Sequence, residues 1–150
     1  MGALLALIVS ITTLSWAWFS AARNEYKSSQ STEAADREKA RLAVIRSNLQ
    51  SFYIEGGSLL EKPVPQGASA EVIAQYTEEA GAWATKANTW IGTELGMAAS
   101  ARFVDRTAYP SRLMTGVDPA VSNAKMFIAD LRQNLAKMIE TNAWDAGGAK

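Results

Sequence analysis

Residues 1–22 contain no charged side chain and no proline, and Leu4, Leu5, Leu7, Ile8, Val9, Ile11 and Leu14 make the run strongly apolar. A helix rises about 1.5 Å per residue, and a hydrocarbon core about 30 Å thick takes roughly 20 apolar residues. The run has the length of a single membrane span, and this constrains everything that follows it. A cleaved secretory leader is the alternative, since Ser20-Ala21-Ala22 offers small residues at a cleavage position. Two features favour retention: no Lys or Arg precedes the run, and it exceeds the roughly 7–15 residues of a secretory apolar region.

Trp16, Trp18, Phe19, Arg23, Tyr26 and Lys27 cluster at the far end of the run. Aromatic rings and basic heads of this kind sit at the headgroup level, so they are the expected membrane-interface anchors. Arg37, Lys39 and Arg41 follow, whereas only the α-amine stands upstream. The positive-inside bias then places the C-terminal part in the cytoplasm. Gly2, Ala6 and Ser10, continued by Thr13, Ala17 and Ala21, form a small-residue ridge of the type that lets transmembrane helices approach. A lone anchor tolerates the same residues.

Residue types that are missing exclude most chemistries. The chain has no cysteine, which removes disulfides, thiolate metal sites, iron–sulfur clusters and Cys nucleophiles. It has no histidine, which removes the commonest general base and imidazole ligation. Fifteen basic and fifteen acidic residues balance, so charge supplies no generic affinity for nucleic acid. No phosphate-cradling glycine loop or Ser-x-x-Lys pattern occurs. Glu78 and Glu79 are adjacent and point apart on a helix, so they do not act as a pair. No cofactor, no metal and no catalytic residue is expected.

Residues 23–31 are rich in Ser and Gln and read either as a flexible neck or as a helical stalk continuing the anchor. Thr32 reads as an N-cap with Glu33 and Asp36 behind it, and Ala35, Leu42, Ile45, Leu49 and Phe52 form an apolar stripe that ends at Gly56-Gly57. Pro63-Val64-Pro65 breaks the pattern. Ser69 caps the next helix, whose three-four stripe is the clearest in the chain: Ile73, Tyr76, Ala80, Trp83, Ala87, Trp90, Glu94, Met97 and Ala101. Ile73, Tyr76, Trp83 and Trp90 form a packing stripe, with a ligand pocket as the sharper alternative. Gly81, Gly92 and Gly96 interrupt this helix, as a close-approach ridge, a hinge or a frayed end. Glu94 falls on the stripe and is expected to be wet.

Arg102, Arg106 and Arg112 lie in one loop region and are candidates for contacting an anion or lipid headgroup, against a reading of local Arg–Asp pairing in solvent. Asp118-Pro119 opens the last helix, with Val121, Ala124, Ile128, Leu131, Leu135 and Met138 as its stripe. Trp144 precedes the terminal Gly147-Gly148 and is expected to fold back.

The expected protein is all-α: a single N-terminal transmembrane helix followed by an antiparallel bundle of about three amphipathic helices. Its expected parts are an anchor at 1–22, a neck at 23–31, a bundle at 32–146 and a tail at 147–150. The function this implies is a single-pass, non-catalytic interaction module beside the lipid bilayer, self-associating or serving another membrane protein. The alternative is an extracytoplasmic ligand-binding or sensing bundle.

Overall fold

The computed structural model describes residues 2–107 and 117–142, with side chains described from residue 18 onward apart from that of residue 21. Among the described residues there are four helices: α1 (Gly2–Glu61), α2 (Ala70–Leu95), α3 (Met97–Val104) and α4 (Pro119–Thr141). It is an all-α chain with a helical bundle, and among the described residues there is no strand. Contacts divide it into two units, Met1–Val44 and Ile45–Lys150. Tyr109, Arg112 and Trp144 lie outside the described residues.

In the first unit the Ser-rich stretch is helix, the second of the two readings of residues 23–31. Ser28, Ser29 and Ser31 donate their hydroxyls to the carbonyls of Glu25, Tyr26 and Ser28, three residues back. Thr32 is therefore no N-cap; its Oγ1 donates to Ser28 O at 2.9 Å, inside α1. Back-bonding of this kind satisfies hydroxyls that would otherwise compete with the backbone. Arg37–Glu33 and Arg41–Glu38 pairs decorate the same helix in solvent.

Among the described residues, no helix is long and apolar enough to cross a membrane. The side chains of residues 1–17, most of the apolar leader, lie outside them. The transmembrane reading of residues 1–22 finds no support in the structure and stands on the sequence alone.

The second unit is the bundle. Its core joins Ile45, Leu49 and Phe52 of α1 to Tyr76, Ala80, Trp83, Ala87 and Ile91 of α2, Phe103 of α3, and Val121, Ile128, Leu131, Leu135 and Met138 of α4. The two expected caps are in place: Ser69 Oγ accepts from Val72 N, and Asp118 Oδ1 accepts from Ala120 N with Pro119 at the helix start. The end expected at Gly56-Gly57 is corrected, because α1 runs on to Glu61.

Helix directions follow from the contacts. Tyr76 meets Leu59 while Trp83 meets Phe52, so α2 runs antiparallel to this part of α1. Lys125 lies over the Tyr76 ring, and Arg132 lies beside Gly56 together with Trp83, so α4 runs parallel to α2. Alternate helices of an up-and-down bundle run parallel, so these directions agree with an antiparallel arrangement, built among the described residues from four helices rather than about three.

The extra helix arises at Gly96. With φ 88° and ψ 170°, it occupies a region essentially reserved for glycine, and α3 folds back along α2. Ser100 Oγ donates to Asn88 Oδ1 at 2.7 Å, and Phe103 meets Trp83 edge-on at 6.5 Å between centroids. Glu94, Met97 and Ala101 accordingly leave the core and are exposed. The last carbonyls of α3 find a donor on α4: Asn134 Nδ2 bonds Phe103 O at 2.9 Å and Asp105 O at 2.6 Å. That pairing answers the orphan acceptors that every helix end leaves.

Candidate functional site

The expected site residues belong to three stretches of the chain: the α1 cluster, the α2 stripe and the arginines from α3 onward. On α1, Trp18, Phe19 and Tyr26 are 77, 71 and 64% exposed, with Arg23 and Lys27 exposed beside them. Phe19, Arg23 and Tyr26 stand at steps of four and three and share one helix face. The side chain of Trp16 lies outside the described residues.

The α2 stripe is used mostly for packing. Tyr76 and Trp83 are buried, Ile73 is half-buried, and Trp90 is half-buried with its ring 5.7 Å from that of Phe52. Ile91, one residue on, fills the core position instead of Trp90. The polar atoms of the buried pair are committed to the main chain of α1. Trp83 Nε1 donates to Phe52 O at 3.1 Å and Tyr76 Oη to Leu59 O at 3.0 Å.

A third donor completes this seam: Arg132 Nε bonds Tyr53 O at 2.9 Å, with the guanidinium 4.1 Å from the centroid of the Tyr53 ring. The close approach needs Gly56, where an added Cβ would lie 2.5 Å from Trp83 Cζ2 and 2.9 Å from Arg132 Cγ. Sequence reasoning missed the seam. Arg132 is 79 residues from its acceptor, and the glycine pair carries a stronger local meaning as a terminator.

Arg102 is exposed on α3. Arg106 is paired with Asp130 at 3.0 Å and lies 5.3 Å from the Phe127 ring centre. Arg112 lies outside the described residues.

Beside the seam, an open groove of about 760 Å³ runs over Leu59 and Trp83 between Glu55, Glu61, Lys62 and Glu79. Two of its carboxylates are already paired, Glu55 with Lys86 at 3.1 Å and Glu79 with Lys62 at 2.6 Å. Among the described residues, no group of three or more acidic, His or Cys residues is placed to hold a metal ion.

The Lys62 hydrogen bond holds the Glu79 carboxyl below the ordinary value of 4.5. Bonds from Thr107 N and Oγ1 hold Asp105 below 3.8. Burial, with Glu79 nearby, pushes the Tyr76 phenol above 10.0. Depressed carboxyls contribute stability above their unfolded values and lose it as pH falls through the folded ones. A raised phenol contributes below its unfolded value and loses it as pH rises. The thermal midpoint should therefore be flat near neutrality, drop modestly below about pH 4 and drop again above about pH 10. The acid limb should shrink in Lys62→Met and in high salt, since the pair is exposed. A midpoint that rises on acidification would contradict these assignments.

No protein-family model, curated protein or solved structure matches the chain.

Proposed function

We propose that the chain is a single-pass membrane-anchored helical interaction module, self-associating or an accessory subunit of a membrane assembly, with no catalytic activity of its own. The observation that carries this reading is the charge-free run at residues 1–22, ending in the exposed Trp18 and Phe19 and followed by the exposed Arg23, Tyr26 and Lys27. The bundle supports it as well: its stripe of large aromatics is taken up in packing, and its buried donors in bonds to α1 carbonyls. The C-terminal domain belongs on the cytoplasmic side by the basic residues after the span.

The test uses the absence of native cysteine. Full-length chain with Ser69→Cys should stay with membranes through an alkaline carbonate wash, and an impermeant maleimide should label it only after the cells are opened. A processed chain lacking the leader, recovered free of membranes, overturns the reading.

The groove beside Trp83 favours a second reading, an extracytoplasmic ligand-binding or sensing bundle. That reading requires Ser69→Cys to label in intact cells.

A further inference from the structure

We propose that Gly96 is a hinge through which two copies of this chain exchange α3 and α4. The partner of the bundle is then a second copy, bound by contacts that the single chain already makes with itself. The inference deepens the self-associating form of the proposed function and rests on it.

A single residue separates α2 from α3, and its φ of 88° and ψ of 170° suit glycine alone. No side chain caps the start of α3; Ala99 N and Ser100 N both turn back to Gly96 O at 3.1 Å. Short connections held in special backbone conformations invite exchange, because straightening them releases a local constraint and costs no native contact once a partner is present.

The sequence around the hinge also suits a straight helix. The three-four stripe of α2 runs on through Glu94, Met97 and Ala101, yet the fold-back turns these outward and leaves Met97 81% exposed. Straightened, residues 70–104 would form one helix, in which the last carbonyls of α2 accept from the first N–H groups of α3. The contacts that close the single chain would then form between chains. They are Phe103 against Trp83, Ser100 against Asn88, and Arg132 on the Tyr53 carbonyl. No new surface is required.

The Asn88–Ser100 hydrogen bond of 2.7 Å supplies the reporter. Full-length chain carrying Asn88→Cys and Ser100→Cys is purified in detergent, oxidised with diamide and run on a non-reducing gel. A closed chain links within itself and runs as a monomer, whereas exchanged chains link to each other. The double variant is expected to give mainly the internal link, with a covalent dimer fraction that grows with protein concentration. Adding Gly96→Ala forbids the fold-back and favours the straight helix, so the dimer-to-monomer ratio should rise about tenfold or more. Inserting Gly-Ser-Gly-Ser after Gly96 relaxes the turn and should lower the covalent dimer at least several-fold.

Circular dichroism checks that each variant remains helical. If Gly96→Ala does not fold, the insertion carries the test alone, and a covalent dimer it leaves unchanged overturns the hinge. Only internal links in Gly96→Ala at every concentration also overturn it. If those internally linked chains still associate, exchange is ruled out while the interaction-module reading survives. A chain that is always monomeric and without its leader overturns both.

Discussion

Trp83→Ala should lower the thermal midpoint of the full chain by about 10 °C or more, a loss of about 3–5 kcal/mol. The indole is 5% exposed and sits where three helices of the bundle meet. One edge crosses Gly56, its Nε1–H is bonded to Phe52 O, and the ring meets Phe103 at an interplanar angle of 74°. Truncation leaves a void bounded by rigid main chain on the α1 side, so collapse recovers little of the lost contact. Trp83→Phe keeps one six-membered ring but loses the rest of the indole together with the N–H, so its cost should be smaller, about 1–3 kcal/mol. Thermal unfolding followed by far-ultraviolet circular dichroism separates the two. Equal, small losses would mean that the indole is not the centre of the core.

Gly56→Ala should destabilise by about 1–3 kcal/mol, although alanine is the better helix former by about 1 kcal/mol. The added methyl would press on Trp83 Cζ2 and Arg132 Cγ, and the rigid indole cannot turn aside. Gly81 is the control: it is also inside a helix, but an added Cβ there meets nothing within 4 Å. Gly81→Ala should therefore stabilise by up to about 1 kcal/mol. The opposite signs of two identical substitutions are the test. If both stabilise, α1 does not lie beneath the indole.

Features decided by neighbours in the chain were legible from sequence. Ser69 and Asp118-Pro119 mark helix starts because a cap acts on N–H groups two or three residues away. The stripe from Ile73 to Ala87 could be read because burial follows helical period. Features decided at a distance were not. Gly56 reads as a terminator until Trp83 and Arg132 are placed against it. Three glycines interrupt residues 70–101, and only the fold-back of Phe103 onto Trp83 singles out Gly96 as the break. The Ser-rich stretch looked like a neck because its hydroxyls compete with the backbone in isolation, whereas in α1 they bond back to it. Of the candidate site, the exposed aromatic and basic residues of α1 were visible as a local cluster. The seam of donors on α1 carbonyls was not, having no signature in any one segment.

That seam has a consequence for how the chain can drift. Trp83, Tyr76 and Arg132 grip main-chain oxygens, and every residue type supplies the same oxygen. Helix α1 is thus held at 59 in a way largely blind to its own lettering, whereas at 53 the tyrosine ring also faces Arg132, and nothing larger than hydrogen fits at 56. Descendants of this sequence are free to rewrite position 59 while keeping the grip intact.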